Sequence, residues 1–192
     1  MKKGFTIIEV SILFVIFLIV ALLVAPLSLN DTVQAKNISR WRSVQADFMN
    51  ILHSVNTQVN EENADYINVF EKTINNEVKS SIPYYKITTM NGTRLAKEYE
   101  LSNLKITYSN ATLAYNFFEN NVNGIIGLLA YDVNGTKGPN IWGKDVFGFY
   151  IYPDSLKPIG YNLSFNEQKR GCSKNGDGLS CSNYYLLGGN FD

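Results

Sequence analysis

Residues 1–25 read MKKGFTIIEVSILFVIFLIVALLVA, and their order decides the architecture of the chain. Lys2 and Lys3 precede a Gly4-Phe5 junction, and no charged residue follows Glu9 until Asp31. Residues 5–25 at ~1.5 Å per residue make a helix long enough for a hydrocarbon layer of ~30 Å. Two leading lysines place that end on the cytoplasmic side. Glu9 is the anomaly, because a carboxylate inside an apolar helix costs roughly 2.5–3.5 kcal/mol on insertion scales. A secretory signal would be shorter and end in small residues at a cleavage site, whereas this run is long and followed by Pro26. No cysteine closes it, which argues against a lipoprotein signal.

KKGFTIIEV resembles the N-terminal signal of type IV pilins and of the pseudopilins of type II secretion systems. The resemblance covers about the first thirty residues and rests on the basic leader, G-F, T and E at fixed spacing, and an uncharged helix. It implies cleavage after Gly4 by a prepilin peptidase, methylation of the new terminus at Phe5, and a role in assembly for Glu9. Pro26 falls where many members of that family carry a helix-kinking proline. The implied partners are the peptidase, other pilin or pseudopilin subunits, the inner-membrane assembly platform and membrane lipid. The implied location is the bacterial inner membrane, with the C-terminal head on the extracytoplasmic side. The organisation expected is a leader over residues 1–4, a transmembrane and filament-core helix over 5–29, and a head over 30–192.

The chemistry of that arrangement can be stated from the residues themselves. Cleavage would leave an ammonium at Phe5, four positions before Glu9 and so on the same helix face. A carboxylate in apolar surroundings needs an opposite charge, and the N-terminal ammonium of a neighbouring subunit can supply it. A simple signal-anchor helix with an incidental glutamate is the plainer alternative.

Helical patterning continues beyond the apolar run. Ile38, Trp41, Gln45, Phe48, Leu52, Val55 and Val59 recur at spacings of three or four, which predicts one apolar stripe on a helix reaching about residue 60. Trp41 is expected in core packing, and His53, the only histidine, falls off the stripe. Residues 61–81 read as a second helix, with Ala64, Ile67, Phe70, Glu71, Ile74 and Val78 near one face and Pro83 stopping it. Thereafter β-branched and aromatic residues alternate, predicting strands at 84–89, 104–108, 112–118, 127–132 and 146–152. Turns are expected at Asn91-Gly92 and Ser109-Asn110, with a last hairpin pairing 147–152 with 158–163. The fold class is α+β: a long N-terminal helical spine and an antiparallel β-sheet head.

One loop in the sheet region concentrates oxygen-bearing side chains. Asp132, Asn134, Asn140 and Asp145 share a Gly-rich stretch between two apolar strands, a composition that can surround Ca²⁺. The spacing departs from the EF-hand pattern, since Gly135 follows Asn134 directly and no glutamate closes the loop. The other reading is a structural turn whose side chains bond the backbone and which requires no cofactor. Major pseudopilins resemble this chain in carrying a Ca²⁺ loop late in the sequence. A second polar loop, residues 173–180 with Asn175 and Asp177, lies between Cys172 and Cys181. In an exported head two cysteines around such a loop are most simply disulfide-bonded, with reduced thiols as the alternative. Many type IV pilins resemble it in closing a C-terminal loop this way.

Composition narrows the function classes. Lysine plus arginine equal aspartate plus glutamate at 17 each, so no broad basic surface points to nucleic acid. No Ser-His-Asp set, HExxH, Walker A or dinucleotide fingerprint occurs, and one histidine leaves few ways to build a general base. The expected role is structural and non-enzymatic: a subunit of a type IV pilus-like or type II secretion pseudopilus filament. A stand-alone membrane-anchored binding or adhesion protein is the alternative from a different class.

Overall fold

The computed structural model describes the backbone of residues 7–62, 65–81, 86–95, 99, 101, 103–107, 111–135 and 137–191; the side chains of 21–30, 61–62, 75–81 and 103–107 are outside the description. The chain divides into two units, Met1–Lys36 and Asn37–Asp192. The architecture is α+β: helix α1 (Ile7–Glu62) and helix α2 (Tyr66–Glu77) precede an antiparallel sheet, and two short helices, α3 (Phe165–Gly171) and α4 (Cys181–Leu186), end the chain.

In the first unit α1 continues through Pro26 as one helix. From Ile7, 86 % exposed, to Val20, 51 % exposed, its side chains are open on every face. Only Glu9 and Ser11 interrupt the apolar composition there, and the Ser11 hydroxyl donates back to the Ile7 carbonyl at 2.9 Å, which hides its polarity within the helix. Among the described residues no helix is long and apolar enough to cross a membrane.

In the second unit, residues 37–62 of α1 bury Ile38, Trp41, Val44, Phe48, Leu52 and Val55. Val44, not Gln45, completes the stripe; the amide at 45 is half-buried at its edge. Helix α2 begins after Asp65, whose carboxylate accepts the Asn68 N–H at 3.1 Å. It buries Val69, Phe70 and Ile74, while Ile67, expected on the inner face, is exposed; Ala64 and Pro83 lie outside the described residues. The helix expected to continue to residue 81 ends at Glu77, because Val78–Ser81 form strand β1 and pair with strand β2 (Asn103–Thr107). A β-branched residue followed by Lys-Ser-Ser holds a helix weakly, and the ladder satisfies the same backbone groups.

The sheet is a meander in the order β1-β2-β3-β4-β5-β6 among the described residues, with β3 at Thr112–Val122, β4 at Ile125–Asp132, β5 at Val146–Ile151 and β6 at Leu156–Pro158. The β2–β3 pairing matches the expected one, and its turn at 109–110 lies outside the described residues. Strands β3 and β4 are joined at Asn123-Gly124, whose φ values of 53° and 82° fit a two-residue hairpin turn with both central residues left-handed. The Asn91-Gly92 turn exists, yet among the described residues it closes no hairpin: of the strand expected at 84–89, the described part makes only an isolated bridge from Thr88 to Ile141. The last hairpin turns more tightly than expected. Leu156, not Ile159, pairs with Ile151, because the Tyr152 and Ser155 backbones bond each other and leave two residues at the tip.

Strand β4 is buried on both faces, so its residues split between two cores by the period of two. Leu129 and Tyr131 face the helices with Phe147, Phe149 and the α1 stripe, while Leu128 and Ala130 pack with Trp142, Val146 and Ile159 on the other side. Trp41 is fully buried, its ring 4.8 Å from Phe149 and 5.2 Å from Phe147, and its indole N–H donates to the Ser182 carbonyl at 2.8 Å. Arg42 donates to the Tyr185 and Gly189 carbonyls at 2.8 and 3.2 Å. These contacts bind the end of the chain to α1.

Candidate functional sites

Three places carry the residues singled out in the sequence. The first is the start of the chain. Gly4 and Phe5 lie outside the described residues, Glu9 is exposed in the first described turns of α1, and Pro26 lies within the same helix. Ile7, Ile8, Val10 and Ile12 around Glu9 are all more than half exposed. An exposed apolar surface this continuous is larger than the patches that soluble monomers ordinarily carry.

The second place is the loop between β4 and β5. The fold brings Asp132, Asn134, Asn140 and Asp145 together, with both carboxylates buried. The Asp132 Oδ1 accepts the Asn134 backbone N–H at 3.1 Å. Asp145 accepts three N–H groups: Ile141 N at 2.6 Å on Oδ1, and Asn140 N at 3.0 Å and Asn134 Nδ2 at 3.2 Å on Oδ2. Oriented to suit its neighbours, the Asn140 amide places Nδ2 between Asp132 Oδ2 at 3.0 Å and the Lys137 carbonyl at 3.2 Å. Burial pushes the Asp145 carboxyl above its ordinary value, and the hydrogen bonds from Ile141, Asn140 and Asn134 oppose that rise.

A hard cation of the Ca²⁺ type takes six to eight oxygens. Here both oxygens of Asp145 and both of Asp132 already receive N–H groups, and Asn134 Oδ1 is the one buried side-chain oxygen of the four residues without a partner. Each carboxylate oxygen is thus satisfied by at least one N–H group without a cation. Among the described residues no group of three His, Cys, Asp or Glu side chains could hold a metal. The arrangement is a hydrogen-bonded turn, fastened to α1 by Arg40 Nη1 donating to the Val133 carbonyl at 2.9 Å and Asn37 Nδ2 donating to the Lys144 carbonyl at 3.2 Å. Sequence reasoning missed Asn37 and Arg40; their signal was a position beside the apolar stripe, one residue before Ile38 and one before Trp41.

The third place is the C-terminal loop. Cys172 and Cys181 are disulfide-bonded and buried. Within their loop the Asp177 carboxylate accepts the Leu179 N–H at 2.9 Å, the Asp177 carbonyl accepts the Met90 N–H at 3.1 Å, and the Asn175 carbonyl accepts Asn91 Nδ2 at 3.2 Å. The loop thus holds the 88–93 turn. Gly143, at φ +84°, presses against it so closely that a Cβ would stand 2.5 Å from the Cys181 sulfur. His53 is exposed on α1. A cleft of ≈ 480 Å³ opens beside the 86–95 segment, lined by Lys86, Thr88, Thr93, Arg94, Tyr99 and Leu101 among others. No family model, curated protein or solved structure matches the chain.

Proposed function

We propose that the chain is a structural subunit of a type IV pilus-like or type II secretion pseudopilus filament, stored in the inner membrane and assembled through its N-terminal helix after cleavage between Gly4 and Phe5. The observation that carries this reading is the helical segment from Ile7 to Val20, open on all sides and apolar except at Glu9 and Ser11. In water such a surface is strongly unfavourable; in lipid, or packed among identical helices, it is at home. Glu9 adds what an anchor alone does not need. In a bundle of staggered helices a carboxylate at this depth favours one axial register, the one that brings a neighbour's Phe5 ammonium to it.

The test expresses the full chain beside a prepilin peptidase, an assembly platform and its motor. N-terminal sequencing is expected to find methylated Phe5. Glu9→Ala and Glu9→Gln are expected to enter the membrane normally and to fail in, or slow, filament incorporation. Unchanged incorporation of both variants overturns the proposal, as does a mature chain that keeps Met1 or is cut after Ala25. Those last outcomes describe a membrane-anchored display protein instead.

A further inference from the structure

The chain contains four Asn-Gly pairs, at 91–92, 123–124, 134–135 and 175–176. In each the glycine amide nitrogen can attack the asparagine side chain, because no Cβ on the following residue obstructs it. The fold treats the four differently. The Gly92 N–H donates to the Thr89 carbonyl at 3.2 Å, while Asn91 Oδ1 accepts Thr93 N and Thr93 Oγ1 and its Nδ2 donates to the Asn175 carbonyl. The Gly135 N–H donates to the Asp132 carbonyl at 3.3 Å, and Asn134 Nδ2 is held by Asp145. The Gly176 N–H donates to the Ser173 carbonyl at 2.9 Å, and Gly176 packs against Gly171. At three sites the nucleophilic nitrogen is therefore already engaged.

Asn123-Gly124 is the exception. Both residues are exposed at the tip of the β3–β4 hairpin, at positive φ, and neither the Gly124 N–H nor the Asn123 side chain makes a hydrogen bond to the described residues. Below the tip only the Val122–Ile125 pair closes the ladder before the register is interrupted as far as Phe117–Gly127. Rotation of this turn into an attacking geometry breaks little structure.

We propose that Asn123 is the position at which the folded protein deamidates, with water as the only co-reactant. Hydroxide removes the Gly124 amide proton, and the nitrogen forms a bond to Asn123 Cγ. The Cγ–Nδ2 bond breaks and the nitrogen leaves as ammonia with a proton from water. The resulting five-membered imide then adds one water. Opening at Cγ gives aspartate, and opening at the backbone carbonyl gives isoaspartate, whose extra main-chain methylene does not fit a two-residue turn. Either product places a new negative charge on the hairpin that already carries Glu119.

The test ages the full chain in detergent micelles in mildly alkaline buffer and follows each Asn-Gly peptide by mass spectrometry, with a parallel sample in denaturant. In denaturant all four pairs are expected to convert at similar rates. In the folded protein Asn123 is expected to convert at least about tenfold faster than Asn91, Asn134 or Asn175, the factor corresponding to roughly 1.4 kcal/mol, about one hydrogen bond. Asn123→Ser should remove the early product without exposing another site. Comparable folded-state rates at all four positions, earlier conversion at one of the other three, or no conversion at Asn123 while the denatured chain reacts would each overturn the proposal. Failure here leaves the filament reading untouched, because no step involves the N-terminal helix.

Discussion

At Asp145 a carboxylate only 1 % exposed accepts Ile141 N, Asn140 N and Asn134 Nδ2, and the sign of its pH dependence follows from burial outweighing those bonds. Its carboxyl lies above the ordinary value of 3.8, so the folded state keeps a proton the unfolded chain has already lost. Stability from this group is full below 3.8, declines as pH rises through the raised value, and is flat thereafter. Glu167 acts oppositely. The Ser164 hydroxyl and N–H hold its carboxyl below the ordinary 4.5, so its contribution is present above 4.5 and lost as pH falls through the lowered value. Asp145→Asn replaces one accepting oxygen by an N–H₂ that faces another donor, and should destabilise by about 1–3 kcal/mol. Urea unfolding across the acid range reads both effects: the variant should be weaker at neutral pH and lack the decline with rising pH. Identical pH slopes in the two proteins would remove Asp145 as its source.

Among the elements, the β4–β5 loop separates composition from geometry. Its aspartates and asparagines are the residue types a Ca²⁺ loop would use, and the fold does gather them, but every carboxylate oxygen receives an N–H group. Millimolar Ca²⁺ is therefore expected to leave the thermal midpoint of the full chain unchanged relative to Mg²⁺; a selective rise with Ca²⁺ would show that the amides rotate to release those oxygens. Two of the four Asn-Gly pairs make a similar point. Asn91-Gly92 and Asn123-Gly124 are equal hairpin signals by residue type, yet among the described residues only the second has a strand on each side, since β3 continues to Val122 and β4 begins at Ile125. Short helices α3 and α4 were not legible. Their seven and six residues are too few for an apolar period to declare itself, and a capping box at Ser164 and Glu167 was the one local cue.

For the molecule as a whole, the second half of α1 is the member against which the sheet and the chain terminus are built. Trp41 touches Phe147 and Phe149 of β5 and bonds the Ser182 carbonyl of α4. Trp41→Ala should destabilise by roughly 3–5 kcal/mol through the cavity it leaves. Cooperative unfolding followed by Trp142 fluorescence measures it, and a loss below about 1 kcal/mol would show that α1 docks without it. The α+β division, the stripe from Ile38 to Val55, strands β2 to β5 and the cysteine pair were all readable along the chain, because each depends on a period of residue types or on a count. What the loops do was decided only in three dimensions. Asn37 reaches a carbonyl 107 positions away and Arg40 one 93 positions away, and hydrogen bonds, unlike apolar periodicity, are satisfied by whichever group the finished fold brings within reach.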